Sequence, residues 1–149
     1  SCNRSFHIDP TLRLDRWCGV CDKCAFIDLI LAPFVPAATL AGIFGGAEPL
    51  ADEALRGTFR TLLGLTEDLK PFECVGYVDE CRVAVLLAAA RDDRRDAPVL
   101  ERLAEEVRRV DPAVADATGS ARPDLVRSLL GPVPPHAVPA RYAPDALLG

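Results

Sequence analysis

The chain has 149 residues, half of them apolar, with a formal net charge of −5 and an isoelectric point near 5.0. That length is one domain's worth with a core to bury, the composition excludes a chain disordered throughout, and the acidic balance speaks against a nucleic-acid-binding surface. No apolar run is long enough for a transmembrane helix and no charged-then-apolar leader opens the chain, so the expected compartment is the cytoplasm.

The first 24 residues carry the strongest chemical signal. Cys2 is followed at a distance by Cys18, Cys21 and Cys24, the last three spaced C-x-x-C-x-x-C. Gaps of two residues let the backbone turn sharply enough to aim neighbouring sulfurs at one point, about 2.3 Å from a zinc ion. Gly19 supplies the loose backbone that such a turn needs. Disulfides or buried thiols are the bland alternatives, but in a reducing compartment this spacing favours ligands. An iron–sulfur cluster is the other metal reading, since ferredoxin-type sites also use C-x-x-C-x-x-C. Here the fourth cysteine lies upstream and Ala25 follows Cys24, which departs from that run and favours zinc. His7, inside the loop between Cys2 and Cys18, is either a further ligand, a group behind the ligands or a solvated side chain.

After the cysteines the pattern is helical. Asp22 is expected to cap a helix over residues 23–31, ended by Pro33, with only Asp28 interrupting its apolar surface. A short helix fits 36–44, stopped by Gly45-Gly46. Residues 50–65 read as one or two helices, broken near Gly57 and ending near Gly64. Residues 77–90 are helical again, and the second half of that helix has no polar face. Helices apolar nearly all round must be covered on several sides, and a missing partner domain is the expected cover. The charge run 91–96 reads as a solvated linker. Asp96 then caps a helix with the stripe Leu100, Leu103, Val107 and Val110, and a last helix fits 124–130. Five of the chain's 13 prolines follow Gly131, so the tail is expected to be extended. The predicted fold is mostly α, with a metal-binding knuckle over 1–24, a helical region over 25–110 and a Pro-rich helical or extended tail over 111–149.

Residues 70–76, KPFECVG, form a shaped loop ahead of a helix N-terminus. That position favours a thiolate, which makes Cys74 a candidate acid/base beside Lys70 and Glu73. A half-buried structural cysteine is the plain alternative, and Cys81 reads as a core thiol. The chain contains no methionine and opens on Ser1-Cys2, so it is read as the C-terminal part of a longer protein, with initiator removal as the alternative.

The C-G-x-C-x-x-C cluster resembles the zinc knuckle of PP-loop ATP pyrophosphatases such as 7-cyano-7-deazaguanine synthase. A longer match runs through Ser1-Cys2-Asn3-Arg4, Trp17-Cys18-Gly19 with Cys21, Lys23 and Cys24, Leu31-Ala32-Pro33-Phe34, Ile43-Phe44-Gly45-Gly46 and residues 70–76. In that order these segments resemble the C-terminal region of the UDP-N-acetyl-α-D-muramoyl-L-alanyl-L-glutamate epimerase family, over about residues 1–90. The resemblance implies inversion of the terminal L-Glu of UDP-MurNAc-L-Ala-L-Glu to D-Glu, with ATP and magnesium consumed in peptidoglycan precursor synthesis. It implies a larger α/β enzyme whose PP-loop domain, absent from these residues, binds ATP and packs on the apolar helices. In that frame Cys2, Cys18, Cys21 and Cys24 hold a structural zinc and Cys74, Glu73 and Lys70 are catalytic candidates. Arg4 or Lys70 steadies a carboxylate or phosphate, and this stretch alone is expected to be inactive. Another PP-loop ATP pyrophosphatase and a standalone zinc-binding interaction module are the competing readings.

Overall fold

In the computed structural model, residues 2–67, 76–119 and 139 are described. Among these residues there are six α-helices and no strand: α1 (Asp22–Leu31), α2 (Ala37–Ile43), α3 (Arg56–Leu62), α4 (Val78–Ala89), α5 (Pro98–Val110) and α6 (Pro112–Gly119). The knuckle before α1 holds only two short 3-10 turns, Asn3–Phe6 and Pro10–Leu12. The expected helix over 124–130 and the proline-rich tail lie outside the described residues.

Local chemistry sets most of the boundaries. Cys21, not Asp22, is the residue that precedes α1, and Asp22 is the first helical residue, where its carboxylate faces the positive end of the helix dipole. α2 closes through Gly45 and Gly46: Gly46 N–H donates to Ala41 O at 2.7 Å and Gly45 N–H to Gly42 O at 3.3 Å. α3 ends the same way, with Leu65 N–H on Arg60 O at 2.8 Å and Gly64 N–H on Thr61 O at 3.1 Å. The break expected at Gly57 lies instead at Asp52, between the 3-10 turns Pro49–Ala51 and Glu53–Leu55. The Asp52 carboxylate accepts the Ala54 N–H at 2.9 Å and fixes the turn, whereas Gly57 lies in the first turn of α3 facing open space. Ala97, not Asp96, precedes α5, which starts on Pro98.

α4 is the hub, packed against α1, α5 and α6, while α1 also meets α3 and the Pro49–Ala51 turn. The two helices with no polar face therefore cover each other and are covered by their own chain. Cys24, Ala25 and Leu29 of α1 and Cys81, Val83, Val85 and Ala88 of α4 are fully enclosed. Much of the cover expected of an outside partner is supplied inside the chain, while Ile27, Ile30 and Leu31 of α1 and Leu87 of α4 stay partly buried. α5 buries Val99, Leu100, Leu103, Ala104 and Val107, but Val110 is 55% exposed where the chain leaves for α6.

α6 falls in the stretch expected to be tail. Asp111 caps it by accepting the Val114 N–H at 3.2 Å, and its other oxygen takes Arg82 Nη1 at 2.8 Å. The Asp111-Pro112 pair was the available signal: a capping carboxylate followed by proline at the first helical position.

The charge run 91–96 is not a solvated linker. It folds into the 3-10 turn Asp92–Arg94, and Arg94 is only 4% exposed, donating to Glu48 Oε1 at 2.5 Å. Arg91 reaches Pro33 O at 3.0 Å and grips Asp93, whose other bond is to the Ala37 N–H at 2.9 Å. Those contacts hold Asp93 down to about 2 and tie the end of α1 to the start of α2.

Asp28 faces the same interior. It is fully buried, and its Oδ2 accepts the Leu50 N–H at 3.1 Å. Burial, then repulsion from Glu48, pushes its carboxyl up to about 7, with Arg94 and the Leu50 N–H only partly opposing. Because the folded-state value exceeds the ordinary 3.8, this group's stabilisation is complete below that ordinary value and is lost as pH rises through about 7. Asp28→Asn is expected to flatten this part of the stability-versus-pH curve and to be more stable than wild type at pH 8 by on the order of 2 kcal/mol. Denaturant unfolding of both proteins between pH 5 and 8 checks this; parallel curves would contradict it.

Candidate metal centre

The knuckle brings all four predicted cysteines to one point. Their sulfurs lie within 4.8 Å of one another: Cys2 to Cys21 is 3.8 Å, Cys18 to Cys24 is 3.7 Å and Cys21 to Cys24 is 3.5 Å. A disulfide would need about 2.05 Å, and the cysteines are free thiols. Four sulfurs bonded tetrahedrally at about 2.3 Å from one ion have edges of about 3.8 Å. The donor set therefore fits a single tetrahedral metal ion. A cluster with its cysteines on separate irons would splay the sulfurs further apart.

The sequence folds this way for readable reasons. Gly19 has φ +70°, the left-handed conformation that reverses the chain between Cys18 and Cys21, and a Cβ there would lie 2.9 Å from the Ala47 Cβ. Val20 N–H donates to Cys18 Sγ at 3.4 Å. Cys24 sits in the first turn of α1, completely buried, so the last ligand is fixed by the helix that packs on α4. Trp17 meets Phe44 edge-on, ring centres 6.1 Å apart, and seats the knuckle on the end of α2. Nothing in the spacing of the cysteines pointed to that contact; the Trp beside a ligand was its one signal.

The electrostatics ask for a cation. Burial, with Cys21 adding, drives the Cys24 thiol well above its ordinary value, and burial also raises Cys18. Burial opposes ionisation of Cys2 too. The N–H groups of Cys18 and Arg4 and the thiols of Cys18 and Cys24 nonetheless bring it down to about 7. Four thiolates cannot share this volume unaided, whereas a dication stabilises all of them and releases their protons. Four sulfur ligands would close the shell of one ion and leave no open position on it.

The remaining candidates are placed as follows. His7 is exposed and stands apart from the sulfur group, its Nδ1 accepting the Asp9 N–H at 3.1 Å. Arg4 is exposed on the Asn3–Phe6 turn, and its carbonyl accepts the Leu14 N–H at 3.3 Å. Cys81 is buried in α4, as a core thiol should be. Lys70, Glu73 and Cys74 lie outside the described residues. Gly76, just after them, has φ +27°, and a Cβ on it would come within 3.0 Å of the Phe26 ring and 2.5 Å of Glu80 Oε2. Gly76 therefore lies against α1, at Phe26, two residues from Cys24. A cavity of about 310 Å³ beside α2, lined by Glu48, Asp93 and Arg94 among others, contains none of these candidates.

Residues 1–118 match the family described as the MurL C-terminal domain. The chain belongs to that family. It is 41% identical over 143 residues, 96% of its length, to a UDP-N-acetyl-alpha-D-muramoyl-L-alanyl-L-glutamate epimerase of Micromonospora sp.. Proteins of the same name from Salinispora tropica, 41% identical over 99% of the chain, and Xanthomonas oryzae pv. oryzae, 43% identical over 75%, match as well. The chain spans only 25–29% of the length of these curated relatives. No solved structure matches. Among the described residues of this MurL C-terminal domain, no helix is long and apolar enough to cross a membrane.

If the sulfur site holds the MurL domain together, Cys24→Ser lowers bound metal below one-tenth of an ion per chain and costs about 3 kcal/mol or more in stability. Metal analysis and thermal unfolding read both; full metal content in the variant would contradict the assignment.

Proposed function

We propose that this chain is the C-terminal part of a larger epimerase that inverts the terminal L-Glu of UDP-MurNAc-L-Ala-L-Glu to D-Glu in peptidoglycan precursor synthesis. What carries the reading is the 41% identity, over nearly the whole chain, to proteins of that name. The reaction belongs in the cytoplasm with its nucleotide-linked substrate. ATP and magnesium are assigned to the PP-loop domain of the larger α/β enzyme. This domain alone is then inactive.

The chemistry requires activation. The α-hydrogen beside a carboxylate is a very weak acid, because its removal places negative charge next to negative charge. Transfer of AMP from ATP to the carboxylate releases pyrophosphate and removes that charge. A base then takes the α-proton, an acid returns one to the opposite face, and water cleaves the acyl–AMP bond to give D-Glu and AMP. Cys74 is the proposed proton carrier, with Glu73 and Lys70 as its polar neighbours in the sequence, ahead of the N-terminus of α4. Lys70 or Arg4 steadies a substrate carboxylate or phosphate. The ion held by Cys2, Cys18, Cys21 and Cys24 is proposed to be zinc. It supports the site by fixing the start of α1, the helix whose Phe26 ring lies against Gly76.

In the full-length enzyme, Cys74→Ser is expected to slow epimerisation, and exchange of the α-hydrogen with deuterium from solvent, by 100-fold or more. Substrate-dependent formation of AMP should persist, because activation precedes proton transfer. A variant that inverts Glu at near the wild-type rate removes Cys74 from the mechanism, and release of ADP in place of AMP would contradict activation by adenylation.

A further inference from the structure

Half of the exposed large apolar side chains fall in the small knuckle: Phe6, Ile8, Leu12 and Val20, against Phe34, Ile43, Tyr77 and Val110 in the helical remainder of the described residues. Three of the four sit on one loop. Leu14 N–H donates to Arg4 O at 3.3 Å and closes it, Arg13 Nε reaches His7 O at 2.8 Å across it, and the Asp9 carboxylate takes the Thr11 N–H at 2.9 Å. The loop is therefore built by its own hydrogen bonds and is not held open by chance. It presents Phe6 at 70%, Ile8 at 95% and Leu12 at 57% exposure. Single exposed apolar residues need no explanation, but three large ones on one fixed loop mark a docking surface.

We infer that this loop, residues 4–14, is the seat of the part of the enzyme that precedes the domain. The inference rests on the reading of the chain as one domain of a larger epimerase. Three observations point to that occupant. The matched family is a C-terminal domain, and the relatives extend over roughly 71% of their length beyond the 29% matched here. Chain arriving from that side enters at the knuckle, beside Cys2, which is already buried. The helices that the sequence marked for such cover are largely covered by their own chain, and the knuckle loop carries the most exposed group of large apolar side chains among the described residues. With Arg4 and Arg13 as its two basic residues against Asp9, the loop lacks the cluster of about four or more that an anionic membrane attracts. The metal ion then has a second consequence: by tying Cys2 to Cys18, Cys21 and Cys24 it holds the docking loop at a fixed place relative to α1.

Hydroxyl-radical footprinting of the full-length enzyme tests whether the loop is covered. Phe6, Ile8 and Leu12 are expected to oxidise at least fivefold more slowly than in the same enzyme unfolded in denaturant; a smaller protection overturns the inference. Photocrosslinking from Phe6→p-benzoylphenylalanine identifies the cover. A crosslink to residues preceding Ser1 in the same molecule is the expected result. A crosslink to a second copy, to residues 1–149 only, or no crosslink overturns it. Neither readout depends on turnover, so failure of the epimerase reading would be seen separately in the activity assay.

Discussion

Four sulfur atoms 3.5–3.8 Å from their neighbours, with two of the cysteines buried, are the constraint on which the arrangement of this domain depends. Thiols do not gather at that spacing for their own sake, because ionising one makes ionising the next harder. A dication reverses the balance and converts mutual repulsion into four strong bonds. Because Cys24 belongs to α1 and α1 packs on the hub helix α4, an ion held there would be joined directly to the hydrophobic core. Because Cys2 lies at the other end of a loop of fifteen intervening residues, the same ion would order a stretch with almost no apolar interior of its own.

A second, smaller polar centre works beside the core. Asp28, Glu48 and Arg94 come from α1, the segment after α2 and the turn before α5, and they meet where three apolar elements converge. The Arg94–Glu48 bond pairs one charge with another, but Asp28 keeps one oxygen buried without a partner. Such groups cost stability unless protonated or bridged by water, and they fix how the elements join more than they add strength. The Arg91–Asp93 contacts do similar work at the surface, where they align α2 with the end of α1.

The gathering of the four cysteines was legible because ligand spacing is a local property: C-x-x-C-x-x-C and one remote cysteine suffice to name the group. The helices with strong periodicity or glycine stops, α1, α2, α4 and α5, were legible for the same reason. What failed was what depends on tertiary partners. Residues 91–96 read as solvated because charge runs usually are, yet Arg94 turns inward to a glutamate 46 positions away. α1 and α4 read as incomplete because each is apolar all round, and sequence does not reveal that each is the other's cover. α6 was overlooked although Asp111-Pro112 announced it, since the prolines after Gly131 coloured the whole C-terminal stretch. The docking loop was missed because Phe6, Ile8 and Leu12 show no periodicity, and only their exposure makes them informative.

We propose that Cys2, Cys18, Cys21 and Cys24 enclose one zinc ion in a closed shell that positions the knuckle on the core. X-ray absorption at the zinc edge of the purified protein tests it most directly. The account predicts one zinc per chain with four sulfur neighbours at about 2.3 Å and no nitrogen or oxygen ligand. An iron-containing protein, or a zinc shell with an oxygen or nitrogen neighbour, would contradict it, because the site would then be a redox centre or an open, reactive one.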